Sequence, residues 1–489
     1  MNTENNISDK DNKRHIKQTD EYVKKIEQLF NNALTKICQI VFKNKKEIAT
    51  DKEFHFKDYP KIRKQIEKIA QDLSLSVANV INIGVNKEWK AAINKNETLL
   101  KYIAKSVAMT EKELQQYGIK NLEALAQFQQ RKIDGMNLSK KVWSYIADSQ
   151  NLLQAALDIG IAEGESAVSL AKDCKKFLNE PDKLFRRVRD KYGNLQLSKN
   201  AKAYHPGQGV YRSSVKNAQR LARSEINIAY RTADYKQYNQ WDFVLGIEIH
   251  RANRADNYPC DMCETLKGIY PKEFQFVGWH PHCRCYTTTI LPSREEFKEY
   301  QKQKFQADLQ GKPFHYDFKG TVKDLPDNFK QYYSENKDKF AKYKQKPYWL
   351  RDNENLIHKQ ETKDVINNVY SYVKDIQAKN KNVFQSENLA TGKMIIKYKD
   401  AKSFLQQKHS VSIEQKKMFV EILKHPDKLK VIENSFKELD LTKPKNNLQA
   451  KKDRGVRGYR QYEFENYIVL MEDRWGKFEV PYSIYNKKS

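Results

Sequence analysis

The chain has 489 residues, 39% hydrophobic and 31% charged, and its 89 Lys and Arg against 62 Asp and Glu give a formal net charge of +27. That length suggests roughly three domains and is ample for real hydrophobic cores. No run approaches the ~18 apolar residues of a membrane span, and the opening MNTENNISDKDNKRH has no apolar stretch to serve as a signal peptide, so no membrane partner is expected and synthesis in a reducing cytoplasm is the default.

The charge predicts attraction to polyanions, nucleic acid being the commonest. The alternative is a solvated, Lys-rich surface, because Lys outnumbers Arg several-fold and is the less specific phosphate ligand. After a polar leader over residues 1–17, Tyr22, Ile26, Leu29, Phe30, Ala33, Ile37 and Val41 recur at helical spacing and predict an amphipathic helix. Ile62, Ile66, Ile69 and Leu73 predict a second helix, and others are expected around 99–107, 122–128 and 152–171, with Asp134-Gly135 among the breaks. Cys38 lies beside an apolar stripe, where a buried structural thiol is expected. The stretch KLFRRVRDK (183–191) reads as a solvated helix face, with phosphate contact as the alternative. A loop, YHPGQGVYR (204–212), precedes a long helix from Ser213 on which Arg223, Glu225 and Arg231 are expected to form internal ion pairs rather than to catalyse. Ile247 and Ile249 alternate with Glu248 and His250, predicting a strand.

The densest chemical signal follows: CDMCETLKGIYPKEFQFVGWHPHCRC, from Cys260 to Cys285, holds four of the six cysteines. Cys260 and Cys263 stand at i, i+3, and His280, His282, Cys283 and Cys285 follow after sixteen intervening residues. Thiolate and imidazole at this spacing suit a tetrahedral zinc, or an iron in its place. Two disulfides or four free thiols fit the same spacing, and the reducing compartment favours metal. A site filled by four protein ligands leaves no position for water, so the metal is expected to be structural.

The order of RSEINIAYRTADYKQY, a strand, ADNYPCDMCETLKGIYP and HPHCRCYTTTILP resembles the head-morphogenesis domain of tailed phages, the Mu F-type minor head proteins. The signature is carried by Cys260, Cys263, Gly268, His280, Pro281, Cys283, Arg284 and Cys285, over roughly residues 213–292. The resemblance implies a virion protein present in a few copies near the portal, with portal and capsid proteins and DNA as partners in head assembly, packaging or ejection. His282 falls at the variable position of that motif, which makes His280 the better imidazole ligand. Cys260, Cys263, His280, Cys283 and Cys285 then compete for four places, and the choice between Cys283 and Cys285 stays open.

Residues 296–349, rich in Lys, Gln, Asn and aromatics and broken at Gly311-Lys312-Pro313 and Leu325-Pro326, read as a connector with one helix over 328–343. Beyond 350, Val365 to Ile376 predict a helix, Met394 to Tyr398 a strand, and Ser412 with Gln415 a capping box on a helix that Pro426 ends. Three alternating segments, 460–464, 467–471 and 478–485, predict a terminal antiparallel meander with a hairpin turn at Asp473-Arg474-Trp475-Gly476. The expected fold is therefore multidomain: a mostly α-helical region over 18–295 with a small metal-stapled β-ribbon, a connector, and an α+β domain with an antiparallel sheet over 350–489.

The stretches QQKHSVSI, ILKHPDKL, ENYIVLMED and FEVPYSIY make that last domain similar to the phage-borne branch of the barnase/EndoU/colicin/RelE-like nucleases. This resemblance implies metal-independent cleavage of RNA, in the setting of host RNA as substrate and an immunity protein as partner. His409 would serve as acid or base, Arg460 or Arg457 as the cation, and Ser483 and Tyr485, at alternate positions of one strand, as donors to phosphate. A capping role is the alternative for His409, a helix-end role is expected for His425, and a core aromatic is the alternative for Tyr485. A second reading of the domain is a non-catalytic binding or assembly module.

Overall fold

The apolar stripe from Tyr22 to Val41 does lie on one helix, but that helix begins far upstream, at Thr3. In the computed structural model, residues 3–49, 54–107, 109–132, 135–162, 166–179, 188–189, 195–196, 213–252, 260–343, 346–406, 412–440 and 448–487 are described. His409, the loop 204–212 and all of the basic stretch 183–191 except Val188 and Arg189 fall outside them. The chain divides into two units, Met1–Asn353 and Glu354–Ser489.

In the first unit, α1 (Thr3–Lys43), α2 (Pro60–Val107), α3 (Glu111–Tyr117), α4 (Leu122–Gln130), α5 (Leu138–Ala162), α6 (Ala167–Asn179) and α7 (Ser214–Tyr238) form a helical layer. A two-residue ladder joins β1 (Val188–Arg189) and β2 (Leu195–Gln196). The longest helix, α2, packs most extensively on α7 and α1. Their core includes Ile26, Val77, Ile81, Trp89, Ile226 and Ala229, all fully buried. Each aliphatic side chain buried this way contributes about 1.5–3 kcal/mol. Ser213 caps α7 by accepting from the Lys216 amide at 3.1 Å.

A three-stranded antiparallel sheet follows, in the order β4-β3-β5: β3 (Gly246–His250) is central, flanked by β4 (Gly268–Tyr270) and β5 (Tyr286–Ile290). A one-turn helix, α8 (Asp261–Thr265), starts between β3 and β4.

Two expectations about this half differ from the structure. The polar leader is part of α1, and its Ser8, Asn12 and His15 are buried, Asn12 against Arg231 and His15 against Glu88 and Asn227. Residues 296–349, expected as a connector, are built into the first unit through α9 (Arg294–Leu309), α10 (Asp327–Ala341) and α11 (Tyr348–Arg351). Phe329, Phe340 and Trp349 are buried and meet Trp279 and Tyr270 in one aromatic cluster, with Trp349 to Trp279 centroids 5.8 Å apart. Asn328 donates to the Thr265 and Lys267 carbonyls at 2.6 and 3.0 Å, and Asn353 accepts from the Gln275 amide at 2.7 Å. The stretch looked like a linker because its apolar content is aromatic and widely spaced, and the surface it covers lies elsewhere in the chain.

The second unit packs α12 (Glu354–Ala378), α13 (Tyr398–Leu405) and α14 (Ile413–Lys424) on a curled sheet of seven strands. Along it run β6 (Val383–Gln385), β7 (Lys393–Ile395), β12 (Phe478–Asn486), β11 (Tyr467–Arg474), β10 (Val456–Phe464) and β8 (Lys430–Val431), while β9 (Lys437–Glu438) also pairs β10. A short helix, α15 (Leu448–Asp453), precedes β10. The sheet is mixed rather than wholly antiparallel, because β12 meets β7 in parallel at Glu479 and Met394. The core holds Val369, Val373, Phe404, Phe419, Ile422 and Leu423 of the helices against Tyr462, Val469, Met471 and Ile484 of the strands. The capping box of Ser412 and Gln415 is present, and the meander has the expected order.

The β11–β12 turn places Trp475 and Gly476 at φ 56° and 66°, two successive left-handed residues that match the twist of a tight hairpin. Trp475 lies over Gly455, itself at φ 70°, where an added Cβ would stand 1.9 Å from the indole. Gly455→Ala is expected to lower the stability of this unit by about 1–3 kcal/mol through the strained φ and the displaced ring, read as a lower urea midpoint for the fragment 354–489.

Candidate functional site

The two halves of the cysteine stretch fold as two tight turns that face each other. In the first, the Glu264 amide donates to the Cys260 carbonyl at 3.0 Å, so Cys260 and Cys263 project from the start of α8. In the second, the Cys283 amide donates to the His280 carbonyl at 3.0 Å, and His282 takes φ 67° at the corner. Gly268 lies at φ 142°, where it enters β4; a Cβ there would meet only the Asn328 side-chain nitrogen, at an ordinary 3.8 Å, so the backbone angle and not crowding calls for glycine.

The turns bring five donor groups together. Cys260, Cys263 and His280 form one set and Cys263, Cys283 and Cys285 another, the ligand atoms of each set lying within 4.8 Å of one another. Cys263 belongs to both. Its Sγ is 3.8 Å from Cys283 Sγ, the separation of ~3.8 Å that two thiolates have across a tetrahedral zinc. His280 Nε2 lies 3.1 Å from both Cys260 Sγ and Cys263 Sγ. Its Nδ1–H donates to the Pro281 carbonyl at 2.7 Å, which leaves the Nε2 lone pair directed at the thiols, the tautomer a metal-binding imidazole requires. Cys263, Cys283 and Cys285 are buried.

Hydrogen bonding among the thiols splits their acidities: sharing with Cys283 and Cys285 raises Cys263, and sharing with Cys263 and Cys285 holds Cys283 well below the ordinary thiol range. The residues fit a metal such as zinc by donor type, spacing and tautomer. None of the six cysteines forms a disulfide.

His282 points away. Its Nδ1 accepts from the Arg223 guanidinium at 2.7 Å, and burial, followed by Arg223 and Arg220, pushes its pKa down to about 4. Arg223 also donates to Asp20 at 2.8 Å, and Arg284 reaches the same carboxylate at 3.2 Å, so the second turn is tied to α1 and α7 by charge. The expectation of internal ion pairs on α7 holds for Arg223, with Asp20, and for Glu225, which pairs with Arg131 at 2.6 Å, whereas Arg231 donates to the neutral Asn12 side chain.

Behind this turn runs a buried polar seam that the sequence did not reveal. Glu88 accepts from His15 at 2.7 Å and from Arg14 at 3.0 Å, Asn227 bridges His15 and the Val277 carbonyl, and Lys95 pairs with Asp234. The only available signal was polar residues at inward positions of the helical repeat. Burial works to raise Glu88, but the contacts with His15 and Arg14 outweigh it and hold the carboxyl below its ordinary value of 4.5. A depressed carboxylate stabilises the fold fully above its unfolded pKa and loses that stabilisation as pH falls through the folded one. Glu88→Gln is accordingly expected to lower stability at neutral pH and to flatten its decline as pH falls below about 4.5, measured by urea denaturation along a pH series.

In the second unit, Arg460 lies on β10 on the face of Tyr462 and Phe464, with its guanidinium 3.9 Å from Glu479 and 4.0 Å from Asp473. Ser483 and Tyr485 share a face of β12, opposite Ile484 of the core; Ser483 is buried and Tyr485 is 49% exposed. Ser483 pairs with Leu470 and Arg460 with Met471, so Arg460 and the two hydroxyls leave opposite faces of the sheet. The structure brings Ser483 and Tyr485 together but does not join Arg460 to them, and His409 lies outside the described residues. Glu479, fully buried, was not foreseen: it accepts from Tyr462 Oη at 2.7 Å, and burial raises its pKa. Its one sequence signal is a carboxylate within an apolar alternation.

No protein-family model matches the chain, and no match was found among curated proteins or solved structures. Among the described residues, no helix is long and apolar enough to cross a membrane.

Proposed function

We propose that the protein is a minor head protein of a tailed phage, in which the Cys/His knot is a structural zinc site that fixes one end of the helical layer. The observation that carries this reading is the knot itself: the two turns of the head-morphogenesis signature converge on Cys263, with His280 in the metal-binding tautomer. The long helix of that signature, α7, is the element to which the second turn is bound through Arg223 and His282. On this reading the chain acts in head assembly and DNA packaging or ejection, with portal and capsid proteins as partners. Mass spectrometry of purified proheads and virions tests it: a few copies per particle are expected, and absence from both particles overturns it.

For the second unit the same proposal carries a ribonuclease-like effector, acting on host RNA and restrained by an immunity protein. The placement of Arg460 opposite Ser483 and Tyr485 speaks against Arg460, though not against Arg457, as the cation of that reading, and the alternative is a non-catalytic assembly module. This unit has its own core and can be assayed alone. RNA cleavage by the fragment 354–489 in the presence of chelator, lost in Tyr485→Phe and His409→Ala, supports the effector reading, and an inert fragment supports the module.

A further inference from the structure

One face of the first unit carries a half-open groove of about 920 Å³, bounded by α4, α5, α7, the metal knot, α10 and α11. Its volume is near the top of the ~300–1,000 Å³ range of ligand clefts. The lining is uneven in charge: Arg131, Lys141, Arg220, Lys339, Lys346 and Arg351 face two carboxylates, Glu225 and Asp352. Both carboxylates are already engaged within the wall, Glu225 by Arg131 at 2.6 Å and Asp352 by Arg351 at 2.9 Å. With six cations against two carboxylates, the lining carries a net positive charge, which favours an anionic occupant.

The rest of the lining is aromatic. Tyr145, Tyr332, Tyr343 and Tyr348 join the edge of the buried cluster around Trp279 and Trp349, and Tyr343 is 41% exposed. Cations interleaved with accessible aromatic rings are the chemistry of a single nucleic-acid strand, whose phosphates meet Lys and Arg while its unpaired bases stack. A duplex keeps its bases stacked on each other and offers the rings nothing. An acidic peptide would satisfy the cations but leave the rings without planar partners. We propose that this groove binds a single strand of nucleic acid, with Lys339 and Lys346 on phosphates and Tyr343 stacked on a base. The proposal goes beyond the head-protein reading and is tested separately from it, on the purified chain and not on particles.

The experiment is fluorescence anisotropy on the full chain with labelled oligo-dT and oligo-rU of about twelve nucleotides, a duplex of the same length and a Glu-rich peptide. Both single strands are expected to bind more tightly than the duplex or the peptide, and their ratio tells whether deoxyribose or ribose is preferred. Lys339→Glu with Lys346→Glu is expected to weaken strand binding at least tenfold and to reduce the salt slope by about 0.7 per lost phosphate contact. Tyr343→Ala, at a partly exposed site, is expected to weaken it about tenfold. Lys61→Glu with Lys64→Glu, on an exposed face of α2 outside the groove, is the control and is expected to cost about twofold or less. The proposal is overturned if the control weakens binding as much as the groove variant, if the duplex or peptide binds more tightly than the strands, or if no strand binds at low salt.

Discussion

Cys263→Ser is expected to abolish metal binding and to open the knot, because Cys263 alone belongs to both donor sets. Structural zinc contributes on the order of 10 kcal/mol to the folding of small domains that depend on it. Here the helical layer has a large core of its own, so the loss is expected to stay local. The segment 260–290, with little apolar surface outside its aromatic contacts, should loosen first. Trp279 and Trp349 pack on each other at the rim of the knot, so their emission is expected to shift to longer wavelength, while circular dichroism keeps most of its helical signal. Limited proteolysis should then cut within the knot. Cys38→Ser, which alters an equally buried thiol in the helical core, is expected to leave metal content unchanged and only to lower stability modestly. Equal metal content in Cys263→Ser and the parent would remove the knot from the account.

Asp234→Ala is expected to destabilise the first unit by about 3–5 kcal/mol, since it leaves the Lys95 ammonium buried without its counter-charge. Asp234 also accepts from Asn96 at 2.8 Å and from Thr287 at 3.4 Å, so one substitution strips three donors on α2 and β5. Lys95 is 8% exposed and Asp234 1%, which leaves water little room to replace the lost partner. The paired change Lys95→Met with Asp234→Leu removes both charges and is expected to recover most of the loss. Tryptophan fluorescence in urea measures this selectively, because five of the six tryptophans lie in the first unit. A single substitution costing less than about 1 kcal/mol would show the pair to be a surface-like contact.

These two predictions also mark what could be read in the sequence. The stripe from Tyr22 to Val41, the capping box at Ser412 and the terminal meander were legible because apolar spacing reports elements that bury one face. The cysteine turns were legible because ligand chemistry needs particular residue types close together. The seam was not: Glu88, Lys95 and Asn96 are polar, and a repeat scored by apolarity counts them as solvent-facing, although each is buried by a partner more than a hundred residues away or, for Glu88, on α1. The same reasoning hid the helical start of the chain, where Asn12 and His15 turn inward. Residues 296–349 failed differently, because Phe329 and Trp349 gain their burial only from Tyr270 and Trp279. In the second unit, Ser483 and Tyr485 were correctly placed together by strand alternation. The face of Arg460 depends on cross-strand register, which a single segment does not encode.

We propose that Cys260, Cys263, His280, Cys283 and Cys285 supply a structural metal site. Elemental analysis of the full chain, purified without chelator, tests it most directly. About one zinc per chain is predicted for a four-ligand site, lost in Cys263→Ser. A fully folded chain with no bound metal and with Cys260, Cys263, Cys283 and Cys285 free to react with a thiol reagent would contradict the claim.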